Sequence, residues 1–130
     1  MNLDSLLETW EFTAEDLKTK SLAEILAQQT PEIRNEFYDS LDSTSVKSLE
    51  YDWSFWGRPK QLIPNTSFVY ILAPGRGFGK TRASSEWVRS LAENYPGIQI
   101  ALVGRTYGDV SKTMILGQSG ILSICPPDNT

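Results

Sequence analysis

Apolar residues follow two rhythms along this chain, and the rhythm changes near residue 50. Before that point Leu22, Ile25 and Leu26 form a stripe, and Ile33, Phe37 and Leu41 recur every four residues, the spacing that puts side chains on one helix face. The start signals agree. Thr13 with Asp16 and Ser21 with Glu24 have capping-box spacing, Thr30-Pro31 places proline at a first helical position, and Asp42-Ser43 opens a further short helix. Residues 1–50 are therefore expected to be brief amphipathic helices that need a surface to pack on. They read either as an appendage covering part of the main domain or as a docking site for a partner protein.

Farther on, the pattern predicts buried strands. Residues 67–73 and 98–104 (I-Q-I-A-L-V-G) are short continuous apolar runs, and between them Thr81 to Asn94 has a helical pattern stopped by Pro96-Gly97. In that helix Ala83, Trp87, Val88 and Leu91 lie on one side, with Arg82, Glu86, Arg89 and Glu93 towards another, as expected of a helix covering a sheet. The crossover is long enough for parallel pairing, so the predicted unit is βαβ. A short helix over about 109–116, a break at 117–120 and one more strand at 121–125, ended by Pro126-Pro127, complete the expectation.

The stretch richest in chemistry is Val69 to Thr81, V-Y-I-L-A-P-G-R-G-F-G-K-T. Glycines at 75, 77 and 79 let successive backbone N–H groups face one point, because a Cβ would obstruct both positive φ values and the close approach of an anion. Lys80 would then reach the outer phosphates of a nucleotide, and the Thr81 hydroxyl would ligate a Mg²⁺ bridging them. Strand, glycine loop, Lys-Thr and helix together are a phosphate cradle. Against the spacing G-x-x-x-x-G-K-[ST], Pro74 stands where the first glycine belongs, Gly75 follows one residue late, and Arg76 adds a guanidinium. A glycine-rich turn with a chance Lys-Thr after it is the plainer alternative.

Just upstream runs Y-D-W-S-F-W-G-R-P-K-Q-L-I-P. An aromatic or arginine plane can stack on adenine, and the Gln61 amide can offer donor and acceptor together to the N6 and N7 edge of that base. Trp53, Phe55 and Trp56, with Arg58 and Gln61, could thus read a purine; such a cluster could equally be core.

Charge separates the two halves. Residues 1–52 carry twelve acidic and four basic side chains, whereas 53–130 carry eight basic and four acidic, so only the second half suits phosphate. With no histidine and a single cysteine, Cys125, histidine-dependent catalysis, internal disulfides and cysteine metal sites are excluded. Phosphate chemistry needs neither residue. The length suits about one domain, and no signal sequence or membrane span is apparent, which points to the cytosol.

Taken together, W-S-F-W-G-R-P-K-Q-L-I-P, L-A-P-G-R-G-F-G-K-T-R-A-S-S-E-W-V-R and A-L-V-G-R-T-Y-G-D-V resemble, in order and spacing, the N-terminal part of the ATPase domain of the large terminase subunit, the motor that packages DNA into tailed bacteriophage heads. The resemblance runs from about Leu26 to the end of the chain. It implies an α/β fold with a P-loop NTPase-type parallel sheet, incomplete in this chain and preceded by short N-terminal helices. Residues 1–50 would be an acidic helical lead-in; residues 51–130 would hold the adenine motif, the Walker A loop and the first βαβ unit. It implies that Arg58 and Gln61 recognise adenine and that Gly75, Gly77, Gly79, Lys80 and Thr81 hold ATP. Thr81 would contact Mg²⁺, and Arg76 would sense the γ-phosphate or act as an arginine finger. Implied partners are double-stranded DNA, the portal, the small terminase subunit and further copies of the chain, in the bacterial host's cytoplasm and transiently at the procapsid portal, away from membranes.

Pro74 departs from the glycine or alanine usual in that family. The family also needs an acidic pair ending a later strand and a carboxylate-rich nuclease, neither of which is seen here; Asp128 follows two prolines and is not accepted as that metal ligand. This chain is accordingly expected to bind nucleotide and to hydrolyse it poorly. Two rivals stay open: a non-catalytic docking module with a vestigial loop, and a fragment of a helicase-like P-loop ATPase. Arg76 and the upstream R-P-x-Q argue against a small-molecule kinase.

Overall fold

The computed structural model describes residues 7–66 and 68–127. Asp128, Ser67 in the first expected strand, and the opening residues of the acidic N-terminus lie outside them. Two compact units are formed, Met1–Lys60 and Gln61–Thr130.

The first unit follows its periodicity. Among its described residues are the helices α1 (Asp16–Thr19), α2 (Leu22–Ala27), α3 (Pro31–Asp39), α4 (Ser43–Glu50) and α5 (Trp53–Trp56). Ser21 and Glu24 make the full reciprocal capping box at α2, Thr13 and Asp16 exchange bonds of 2.8 and 3.1 Å ahead of α1, and the Asp42 carboxylate caps α4 by accepting from Ser45 N. Each satisfies helix-start N–H groups that have no intrahelical partner. The stripe residues Ile25, Leu26 and Phe37 meet Trp10 and Phe55 in one core, with Leu22, Ile33 and Leu41 packed on it. Phe37 is central: its ring lies 5.9 Å from Phe55 in a stacked pair and 5.7 Å from Trp10 edge-on. A buried polar cross-link joins this core. The Gln29 carboxamide accepts from Glu11 N and donates to Glu11 O, both at 2.8 Å, tying the segment before α1 to the end of α2.

The second unit overturns the α/β expectation. Among the described residues there is no strand and no sheet, parallel or otherwise. The expected strands form no ladder, and several of their apolar side chains stand in solvent: Phe68 is 103% exposed, Ile71 83% and Val103 83%. A parallel ladder is stable when both faces are covered. Here the one long helix, α6 (Lys80–Asn94), packs instead against a π turn (Val110–Ile115) and a short helix α8 (Ile121–Ile124). The third expected strand, 121–125, is therefore also corrected: Ile121 and Ile124, three apart, share one helix face, and Ile124 is buried, with its carbonyl accepting from Arg89 at 3.3 Å.

Between α6 and α8 the helix foreseen over 109–116 starts as α7 (Tyr107–Asp109), capped by the Thr106 hydroxyl, and widens into the π turn. Its break at Gly117 and Gly120 has a steric cause. A Cβ at Gly120 would sit 2.5 Å from the Ile115 carbonyl oxygen, and one at Gly117 would sit 2.8 Å from two more.

The faces of α6 also differ from the expectation. Glu86, placed above with the polar residues, is buried, and Trp87, Val88 and Leu91 are only half-buried. Arg82 at 2.7 Å and Arg89 at 3.0 Å pair with the Glu86 carboxylate. Burial nevertheless pushes that carboxyl above its usual range, with the two arginines opposing.

Replacing Phe37 by alanine should cost the first unit about 3–5 kcal/mol, since it removes a core ring held by two others; urea unfolding followed by tryptophan fluorescence would measure it. Acid should act on the same unit. The Arg58 guanidinium, then the Ser21 N–H, hold the Glu24 carboxyl at about 2 instead of 4.5. A carboxyl depressed by folding stabilises above its unfolded value and loses that contribution as pH falls through the folded one, so stability should decline from about pH 4.5 towards 2. Glu24→Gln, which keeps a capping acceptor and loses the ion pair, should flatten that decline in a pH series of melts.

Candidate functional site

Residues 74–81 lead from the run at 68–73 into the start of α6. The backbone enters the helix through Gly79 in the left-handed region, φ 86° and ψ 32°, and Gly77 is left-handed too, at 84°. A side chain at either position would be strained whatever the surrounding space. Gly75 is different: its φ is not positive, and nothing lies within 4 Å of where a Cβ would stand. The conformational need for glycine therefore falls on 77 and 79, and Gly75 contributes openness.

Because its cap is a glycine, α6 begins with no side-chain cap. Its first-turn N–H groups, with the positive end of the helix dipole, are thus left available to an anion. Lys80 is the first helical residue and is exposed. Its ammonium folds back over the loop, donating to Pro74 O at 3.0 Å and Gly75 O at 2.9 Å. The Lys80 ammonium thus rests on two loop carbonyl oxygens, contacts that a phosphate oxygen could replace. Arg76 lies exposed at the loop tip. Thr81, half-buried, borders a cavity of about 300 Å³ between the first half of α6, residues 101–103 and residues 113–121.

Gln61 is brought to the loop from 17 residues upstream, its amide donating to the Phe78 carbonyl at 2.5 Å. Arg58 belongs to the first unit, where its guanidinium is bound to Glu24 by three hydrogen bonds, two of them at 3.1 and 3.0 Å. Of the aromatics beside it, Phe55 is core, and Trp56 donates its indole N–H to Leu49 O at 2.7 Å. Spacing gave no sign of the Phe78 carbonyl as a partner for Gln61, or of Glu86 as a buried anion one turn beyond Arg82; both depend on how the chain closes.

Nothing stands within 4 Å of where a Cβ of Gly75 or Gly77 would be, so the loop backbone is open to solvent on that side. For Mg²⁺ the loop offers the Thr81 hydroxyl. An ion there would keep most of its waters and take its other ligands from phosphate oxygens, with no carboxylate in the loop to anchor it. Among the described residues, no cluster of three or more acidic, histidine or cysteine side chains could hold a metal, and no helix is long and apolar enough to cross a membrane. Comparison with protein-family models, with curated proteins and with solved structures finds no match to this chain.

The two kinds of glycine should respond oppositely to a methyl group. Gly79→Ala combines left-handed backbone with a Cβ 3.0 Å from Gln61 Nε2 and should destabilise the second unit by about 1–2 kcal/mol. Gly75→Ala meets neither obstacle and, by restricting the unfolded chain, should hold or raise the thermal midpoint by up to a few °C. Paired thermal melts would show the contrast.

Proposed function

We propose that residues 61–81 bind a nucleoside triphosphate, with Mg²⁺, through the backbone N–H groups of the glycine loop, the Lys80 ammonium and the Thr81 hydroxyl. The observation that carries this reading is the join between loop and helix: two left-handed glycines deliver the chain into an uncapped helix start whose first residue is a lysine folded over the loop. It rests on the loop and needs no sheet. Positioning and charge neutralisation dominate phosphoryl chemistry, and both are what such a loop supplies. Since P-G-R-G-F-G-K-T contains no carboxylate to orient water, the proposal for this stretch is binding, with slow turnover.

The order and spacing of the W-G-R-P-K-Q, P-G-R-G-F-G-K-T and G-R-T-Y-G-D stretches support a finer reading, the ATP-binding portion of a phage terminase large subunit. In that reading ATP hydrolysis by the complete motor drives double-stranded DNA through the portal. Arg76 serves the γ-phosphate, and the small terminase subunit and further copies of the chain are partners in the host cytoplasm.

Titration of a fluorescent ATP analogue with Mg²⁺ tests the binding. The expected result is saturable binding that Lys80→Ala weakens about 10- to 100-fold, the range for a charge-assisted hydrogen bond. Absence of binding, or binding indifferent to Lys80→Ala, would favour a docking module instead, for which the exposed Val69, Ile71 and Val103 offer the apolar surface.

A further inference from the structure

We infer that Gln61 is a positioning residue for the phosphate loop, acting through the peptide between Phe78 and Gly79 and not through a base. The inference rests on the polyphosphate reading above for its ligand, while its structural half stands without one.

The geometry is short and specific. Gln61 is half-buried, and its Nε2 donates to the Phe78 carbonyl at 2.5 Å across 17 residues of chain. The same nitrogen lies 3.0 Å from where a Cβ of Gly79 would be. The carboxamide thus closes over the one peptide that turns the loop into the helix. No peptide in the described chain is cis. In a planar trans peptide the C=O and N–H point in opposite directions. Holding the Phe78 oxygen on the Gln61 side therefore directs the Gly79 N–H to the other side, and sets the left-handed φ through which Lys80 and Thr81 enter α6. Glycine alone does not select that state, because it visits both signs of φ with similar ease. The selecting contact is the amide of Gln61.

A base reader and a loop positioner differ in what they sense. A residue that contacts only adenine contributes nothing to a ligand without a base. A residue that orients a loop N–H contributes equally to every ligand carrying the phosphates. Inorganic tripolyphosphate, which has no base, separates the two.

The test uses the full chain with Gln61→Glu, an isostere lacking the amide donor, and Gln61→Ala. Calorimetric titration with Mg²⁺-ATP and with Mg²⁺-tripolyphosphate is expected to show both ligands weakened by the same factor, about three- to tenfold, as for one lost hydrogen bond. Loss confined to ATP, with tripolyphosphate unchanged, would overturn the proposal in favour of base reading. Amide hydrogen exchange measured by NMR on the ligand-free protein supplies the second readout. Gly79 and Lys80 should exchange several-fold faster in Gln61→Glu, while amides late in α6, such as Leu91, keep their rates. Unchanged exchange at Gly79 and Lys80 would overturn the inference even if ATP binds normally. If the parent protein binds neither ligand, the polyphosphate reading fails, and the exchange rates still decide whether Gln61 positions the loop.

Discussion

A helix must begin by leaving four backbone N–H groups without intrahelical partners, and what meets them shapes its surroundings. In the first unit side chains meet them at three helices, through Ser21 with Glu24, Asp42 and Asp52, while α3 starts at Thr30-Pro31 without a side-chain cap. In the second unit the longest helix, Lys80–Asn94, starts from a left-handed glycine with no side-chain cap. That uncapped start is the constraint on which the site depends. It calls for glycine at 79 and sets Lys80 where its ammonium can reach back over the loop. It also keeps the first turn open to a ligand that brings its own negative charge.

The same helix organises its unit through a buried charge. Glu86 is almost wholly enclosed, yet Arg82 and Arg89 pair with it, and Arg89 also donates to the Ile124 carbonyl that closes α8 onto the helix. Burying a carboxylate is costly unless it is paired, and removing either side would strand the other. The second unit is thus held by an ionic seam along one side of α6, whereas the first is held by stacked and edge-on aromatic rings around Phe37. The two halves of the chain, opposite in net charge, are also stabilised by different physics.

Local signals were legible wherever the answer lay within a few residues. Capping boxes, the proline at the start of α3, the helix after the loop and its glycine-proline stop all depend on contacts three or four positions apart, and they recur in the structure with small shifts of boundary. The loop residues Gly77, Gly79 and Lys80 were legible for the same reason. Signals that need a remote partner were not. The runs at 68–73 and 98–104 have strand composition, but strand preference measures fit to a neighbouring strand and to covering faces. No neighbouring strand is present among the described residues, so the runs form no ladder and several of their apolar side chains are exposed. The run at 121–125 suits a strand or a helix turn equally, and packing on α6 chose the turn.

Sequence by itself determined helix starts in the first unit and which positions could adopt positive φ, because these are properties of single residues and their nearest neighbours. Tertiary structure alone decided that no sheet forms among the described residues, that Arg58 is held by Glu24, that Gln61 grips the Phe78 carbonyl, and that Glu86 turns inward. Each of those outcomes is a competition between partners separated by many residues. Periodicity records which face a side chain occupies, but not which distant group will be there to meet it.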